Sequence, residues 1–247
     1  MKVRTYSRLL TAALGVVLVA AVAIPAGSAA GAGTVLPPNA KAFGKTYGGW
    51  SAAWWQYVLA QPASSSPLVD PTGAGCGAGQ SGQVFFLVGT NSSGTATRDK
   101  CTVRAGKALF FPLVNAFDVH TPGDGLDTPL LVWNDLQNTI GFGPFSELHA
   151  TIDGVPVGNL NPVSTPFRAC AGPVARCSAP DFSLTFPADN FFGLPAGAYA
   201  PAVADGFYLL LAPLTPGSHT INFGGTGLFG GKQFSQDITY NLTVTPS

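Results

Sequence analysis

The sequence predicts an all-β protein, an antiparallel β-sandwich of the jelly-roll type with one amphipathic helix packed against it near the N-terminus. The composition is the first observation, because the 247 residues include 31 glycines and 21 prolines, whereas Glu147 is the only glutamate. Helix formers are therefore scarce and turn formers plentiful. The second observation is that several segments alternate apolar and polar residues, and the third is that turn pairs such as Asp153-Gly154 separate them.

The first 30 residues have the features of a secretory signal peptide. Three basic side chains precede the apolar segment 9–24, and Ser28-Ala29-Ala30 supplies the small residues that signal peptidase requires. An uncleaved membrane anchor is the alternative, but this segment is shorter than the roughly 20 apolar residues that span a bilayer. We expect residues 1–30 to be removed and the protein to be secreted, with membrane contact only through this segment.

The remaining chain predicts one domain with a weakly acidic character. Residues 31–39 are predicted to form an extended arm, and residues 40–247 a single β-sandwich domain. Without the signal peptide, nine basic and twelve acidic residues give a net charge of −3. There is no basic block, which argues against a nucleic-acid partner.

Four cysteines, an even number, predict disulfide bonds in an exported protein. Three pairings are open, and we expect Cys76–Cys101 and Cys170–Cys177 because closing short loops costs the least entropy. A zinc site is the alternative, but the cysteine spacings match no zinc pattern and no histidine lies nearby in the sequence.

Residues 40–61 are the one helix candidate. Trp50, Trp54 and Val58 lie four residues apart and form one stripe, and Trp55 starts a second stripe beside it. Ser51 is a candidate N-cap, and Pro62 follows the end of the helix. Two adjacent apolar stripes predict a helix that is buried on more than one side.

Seven later segments predict strands. All are apolar runs or alternate between apolar and polar residues. Within the second of them, Pro112 predicts an edge or a bulge, since proline cannot donate a ladder hydrogen bond. The predicted strands are Val84–Val88, Ala108–Val114, Leu148–Ile152, Phe182–Phe186, Phe207–Leu211, the segment around Ile221 and Phe223, and Ile238–Val244.

Four stretches also carry a resemblance to a protein family. They read WSAAWWQY, GQSGQVFFLVGT, CTVRAGKALFFPLVNA and ADGFYLLLAPLTPGSHTINFGGT, and together they extend over most of the chain after the signal peptide. In these stretches the chain resembles a family of uncharacterised exported bacterial proteins rich in β-structure. The resemblance implies a secreted β-rich protein, and it implies no activity and no site residues.

The tryptophan cluster has two interpretations. Trp50, Trp54 and Trp55 would serve as a ligand-binding aromatic surface, for example for carbohydrate, if they were exposed on one side. On a helix, however, they point in two directions, and each indole contributes about 150–250 Å² of surface that favours burial. We therefore favour a core interpretation and keep ligand binding as the alternative.

The segment NAFDVHTPGDGLD is the densest group of polar residues. Asp118, His120, Asp124 and Asp127 lie within ten residues beside glycines, a composition that suits a Ca²⁺ site or the start of a transition-metal site. Because the spacing is not that of an EF-hand, a solvated loop with side-chain turn hydrogen bonds is the favoured interpretation. No cofactor is expected apart from this Ca²⁺ candidate.

The functional hypothesis is a secreted, disulfide-stabilised protein that binds without catalysing a reaction, with carbohydrate or cell-envelope material as the candidate partner. No motif for nucleophilic hydrolysis is present, and no catalytic residue is assigned. One alternative is a glycosidase-like hydrolase that uses carboxylates of residues 118–135. Another is a purely structural extracellular protein, which would self-associate.

Overall fold

A computed structural model describes residues 33–246, so the predicted signal peptide and the first two residues of the predicted arm lie outside the described residues. The described chain is mostly β, with two sheets and two α-helices. Each of the seven predicted strands overlaps an observed one. The elements are α1 Tyr47–Leu59, β1 Val84–Phe86, β2 Gly94–Arg98, β3 Thr102–Arg104, β4 Ala108–Val119, α2 Pro129–Asn138, β5 Phe142–Ile152, β6 Val155–Pro156, β7 Arg168–Ala171, β8 Phe182–Phe186, β9 Gly197–Leu211, β10 Gly217–Phe229 and β11 Lys232–Thr245.

The first sheet has the strand order β1-β4-β9-β7, and β8 pairs with the other half of the long strand β9. The central strands β4 and β9 are antiparallel, but β1 runs parallel to β4, with Val84 opposite Ala108. The strand β4 extends to Val119, past the predicted end. The register shifts between Pro112 and Val114, so the proline lies at a bulge, as predicted.

The second sheet has the order β2-β11-β10-β5-β6, and β3 also pairs with β11. The hairpins turn at Gly230-Gly231 and at Asp153-Gly154, where both residues of each pair have positive φ. Two positive φ angles are the requirement of a type I′ turn, which explains the glycines. Because β2 and β3 run parallel to β11, the expectation of a purely antiparallel sandwich is wrong. Both sheets are mixed, since β1, β2 and β3 reach them through loops and not through hairpins.

The helix α1 is shorter than predicted and is not amphipathic. It begins after Thr46, whose hydroxyl accepts a hydrogen bond from the Gly49 N–H at 3.1 Å, so the N-cap is Thr46 and not Ser51. Ten of its thirteen residues are buried. The helix packs on β7, β8 and β9 of the first sheet, and Gln56 is its one fully exposed residue. Burial on nearly all sides makes α1 part of the core.

The helix α2 was not predicted from the sequence. Thr128 caps it by accepting a hydrogen bond from the Leu131 N–H at 3.3 Å, and Pro129 occupies its first turn. Val132, Trp133 and Leu136 are its buried residues. Leu130 and Leu131 are apolar but exposed, so the spacing of apolar residues in this segment does not mark one buried face of a helix.

The described part of the arm is attached to the first sheet. Val35 forms a β-bridge with Leu211, and the Leu36 N–H donates to the Leu210 carbonyl at 2.7 Å. The hydroxyl of Tyr47, at the start of α1, donates to the Leu36 carbonyl at 2.7 Å. The arm therefore runs beside the C-terminal end of β9.

The disulfides are Cys76–Cys101 and Cys170–Cys177, the two predicted pairs. Disulfides of this kind persist in oxidising surroundings such as the extracellular space. Among residues 33–246, no helix has the length and apolar character needed to cross a bilayer.

Candidate functional site

The three clustered tryptophans are buried and face two sides of α1. Their exposed fractions are 9 % for Trp50, 1 % for Trp54 and 8 % for Trp55. The Trp54 indole N–H donates to the Leu87 carbonyl at 2.9 Å, and that of Trp50 donates to the Ala42 carbonyl at 2.9 Å. They do not form an exposed row on one surface. Their burial agrees with the core interpretation, but Trp54 and Trp55 also line a cavity.

This cavity, called here the aromatic cavity, has a volume of about 560 Å³. It lies between the C-terminal half of α1, the strand β4 and the tip of the β10–β11 hairpin. Its volume falls in the range of roughly 300–1,000 Å³ that is typical of small-molecule sites. It is lined by Trp54, Trp55, Leu59, Leu68, Gly89, Thr90, Asn91, Ser92, Asn115, Ala116, Phe117, Ile140, Phe191, Phe192, Phe229, Phe234 and Gln236.

Seven of the seventeen lining residues are aromatic, and several of these rings support one another. The Trp55 ring centroid lies 4.5 Å from that of Phe117 and 4.8 Å from that of Trp54, to which it is perpendicular. At the hairpin tip, Phe229 and Phe234 lie 5.0 Å apart. Edge-to-face and tilted contacts of this kind hold rings in defined orientations.

A hydrogen-bonded loop between β8 and β9 positions two phenylalanines at the cavity. The Asn190 side chain donates to the carbonyls of Pro187 and Leu194, and its oxygen accepts from the Phe192 N–H at 3.1 Å. The neighbouring Asp189 carboxylate accepts from the Ser64 hydroxyl at 2.5 Å, which ties the loop to the segment after α1. The exposed fraction of Phe192 is 51 %, so this ring borders the cavity and solvent.

The opposite side of the cavity is built around a buried glutamine. The Gln236 side chain donates to the Leu113 carbonyl at 2.7 Å and accepts from the Thr90 N–H at 3.4 Å. A Cβ atom at Gly89 would clash with the Gln236 Oε1 atom, so a larger residue there would displace the Gln236 side chain. The Thr90 hydroxyl donates to the Ser92 carbonyl at 2.6 Å. Most hydrogen-bonding groups on this side are therefore already paired.

Four polar groups without a hydrogen bond of ordinary geometry are buried between α1 and the first sheet. They are the Ser51 and Tyr208 hydroxyls, the Trp55 indole N–H and the Asn115 side-chain amide. Burial raises the pKa of the Tyr208 phenol, while the nearby side chains of Ser51, Asn115 and Trp55 lower it. Trp55 and Asn115 belong to both this group and the cavity wall.

The predicted metal cluster forms a hydrogen-bonded loop. The Asp124 carboxylate accepts from the backbone N–H groups of Leu126 and Thr121 and contacts the His120 ring nitrogen at 2.8 Å. Desolvation raises the pKa of Asp124, but these hydrogen bonds outweigh it and lower the value to about 2. The Asp127 carboxylate lies 3.9 Å from the His120 ring. Among residues 33–246, no group of three or more acidic, histidine or cysteine side chains is arranged to hold a metal ion, and the Ca²⁺ site stays a prediction.

Asp118 lies near the end of β4, close to Asp135 of α2 and to Asp124 of that loop. One of its carboxylate oxygens accepts from the Val119 N–H at 2.8 Å, and the other is buried without a partner. Desolvation raises its pKa to about 6, against the effect of the Val119 bond, and the nearby Asp135 carboxylate contributes to the increase. Neither residue lines the aromatic cavity.

Comparison with known proteins adds no relative: no family model, no curated protein and no solved structure matches this chain. The resemblance to exported bacterial proteins therefore stays a prediction.

Most of the cavity residues were not predicted from the sequence. Phe117, Phe192 and Phe234 come from three distant segments, and nothing in the sequence indicates that they meet. The one available signal was local: aromatic residues flank the Gly230-Gly231 turn in LFGGKQF, where a hairpin would place them side by side.

Proposed function

We propose that this protein is an exported binding protein without catalytic activity, and that the aromatic cavity is its ligand site. The cavity itself is the observation that carries the proposal. Seven aromatic residues contribute to its walls, and hydrogen bonds hold both bordering loops in place. A site that exists before the ligand arrives loses little conformational entropy on binding.

The candidate ligands are carbohydrate or cell-envelope material, as the sequence hypothesis holds. Aromatic rings such as Trp55 and Phe117 suit the flat, apolar faces of ring-shaped molecules. The disulfides support a role outside the cell, where such molecules occur.

The test compares ligand binding by the wild type and by a variant with a filled cavity. Soluble cell-envelope fragments and saccharides are screened by ligand-observed NMR against the wild type, Ala116→Leu and Ala198→Leu. Ala116 is a buried residue of the cavity wall, whereas Ala198 is an exposed residue of β9 and serves as the matched control. We expect binding by the wild type and the control, and its loss in Ala116→Leu. Equal binding by all three would contradict the proposed site.

A hydrolase is the second candidate function, and Asp118 is the observation that favours it. A carboxyl group with a pKa near 6 beside a second carboxylate has the properties of a general acid. After incubation, mass spectrometry of the saccharides distinguishes the two functions. Unchanged saccharides support binding, whereas cleavage that disappears in Asp118→Asn supports the hydrolase.

The structural alternative predicts self-association. Sedimentation velocity over a wide range of protein concentration tests it directly. A species of constant monomer mass supports the binding function, and concentration-dependent growth of large species would favour a structural role.

A further inference from the structure

We infer that the aromatic cavity selects a neutral, amphipathic ring molecule, and that it discriminates against both ions and fully hydroxylated sugars. This inference rests on the proposed function, because it assigns a ligand class to the same site. Of the two candidate ligands named there, it favours amphipathic cell-envelope material over carbohydrate. Three properties of the cavity lining carry it: its charge, its aromatic surfaces and its supply of unpaired polar groups.

The charge of the lining excludes ionic ligands. In the described part of the chain, none of the seventeen residues around the cavity is acidic, basic or a histidine. An ion that left water for this site would lose its hydration and find no opposite charge. Transfer of an unpaired ion into an apolar environment is so unfavourable that proteins avoid it. A neutral ligand pays no such cost.

The aromatic surfaces favour a ring. Trp55 packs against Phe117 on one side, and Phe229 packs against Phe234 at the hairpin tip. Phe192, which is half-exposed, contacts Phe117 with the ring centroids 5.7 Å apart. A flat molecule that enters beside Phe192 would bury its faces against these rings and remove the exposed phenylalanine from water.

The polar groups limit how many hydroxyls a ligand can bury. Gln236 already bonds to Leu113 and Thr90, and the Thr90 hydroxyl bonds to Ser92. Four lining side chains retain hydrogen-bonding capacity: the exposed Asn91 and Ser92, and the buried amide of Asn115 and indole N–H of Trp55. A sugar with hydroxyls around its ring would leave several of them unpaired against phenylalanine and tryptophan, which weakens its binding. A molecule with one or two polar groups at one end avoids this loss.

A matched pair of fluorescent probes tests the inference. Phenylnaphthylamine is neutral, and anilinonaphthalene sulfonate carries the same ring system with one negative charge. Both brighten in apolar surroundings, so titration of the wild-type protein yields a dissociation constant for each. We expect the neutral probe to bind at least about tenfold more tightly than the anionic one. Similar affinities, or tighter binding of the sulfonate, would overturn the inference.

Variants and a competitor assign the signal to the cavity. We expect Ala116→Leu to abolish binding of the neutral probe and Ala198→Leu to preserve it. Phe192→Ala should weaken it several-fold, and this exposed position carries little risk to folding. Excess glucose should not displace the probe.

The outcomes separate the two proposals. If glucose displaces the probe and Ala116→Leu abolishes probe binding, the ligand class is contradicted and the site is supported. If Ala116→Leu leaves probe binding unaffected, the aromatic cavity is not the binding site. Circular dichroism of each variant establishes that it is folded.

Discussion

The guanidinium group of Arg98 donates a hydrogen bond of 2.5 Å to the hydroxyl of Tyr240 inside the protein core. Both side chains are only 1 % exposed. The other donors of Arg98 bond to backbone carbonyls, at Val88, Gly89, Pro67 and Asp70. One buried side chain therefore joins the end of β2, the strand β11, the loop before β1 and the segment after β1, where Gly89 lines the aromatic cavity.

Replacement of Arg98 by methionine should therefore be strongly destabilising. Methionine fills similar space but leaves several buried carbonyl groups without a donor, and each unsatisfied group costs about 1–3 kcal/mol. We expect the free energy of unfolding to fall by at least about 3 kcal/mol in urea denaturation. Arg104→Met is the matched control, since Arg104 is exposed on β3 and should tolerate the change. Equal effects of both substitutions would refute this role.

The Tyr208 hydroxyl should contribute to stability through the groups that face it. Tyr208→Phe removes a buried hydroxyl that lies close to the polar groups of Ser51, Trp55 and Asn115. We expect a loss of about 1–2 kcal/mol in the free energy of unfolding. Tyr199→Phe is the control, because the Tyr199 hydroxyl bonds to the Pro195 carbonyl near the surface. If Tyr208→Phe proved neutral or stabilising, the four buried groups would not interact.

Asp118 should make the protein less stable as the pH rises, because its pKa is raised in the folded protein. Its pKa is about 6 in the folded protein and 3.8 ordinarily, so the folded state keeps a proton that the unfolded chain has already lost. Stability from this group is present below about pH 4 and is lost as the pH rises through about 6. We expect Asp118→Asn to match the wild type at about pH 4 and to exceed it at about pH 7 in thermal melts.

Asp124 should have the opposite effect on the pH dependence of stability, because its pKa is lowered in the folded protein. Its pKa is lowered to about 2, so its contribution is present above the ordinary pKa and is lost as the pH falls through 2. Asp124→Asn should therefore be less stable than the wild type at about pH 7, and the difference should shrink in acid. If the stability difference from the wild type had the same sign in both variants at about pH 7, the two pKa shifts would be contradicted.

The two disulfides should differ in how much they stabilise the folded protein. Cys76–Cys101 closes a separation of 25 residues, and Cys170–Cys177 closes one of 7. The loop-entropy relation gives about 3.5 kcal/mol for the first and about 2.4 kcal/mol for the second. We expect the paired alanine variant at Cys76 and Cys101 to show the larger decrease in melting temperature. The reverse order would show that loop length does not control their effects.

Much of the architecture was predictable because it follows from local patterns. Ile238–Val244 alternates cleanly and is a strand, and Asp153-Gly154 is a turn because its positive φ angles suit those residue types. The error over sheet direction has a physical cause. Alternation reports which face of a strand is buried, and it is the same for parallel and antiparallel neighbours.

The sequence by itself determined the β-rich class, the buried tryptophan helix, the disulfide pairs and the absence of a recognisable catalytic motif, since each depends on composition or on residues close in the chain. Only the tertiary structure decided that Trp55, Phe117 and Phe234 enclose one cavity and that Arg98 lies in the core. These relationships join residues far apart in the chain, and arginine is ordinarily exposed. No local pattern encodes them, because they arise when the two sheets and α1 pack together.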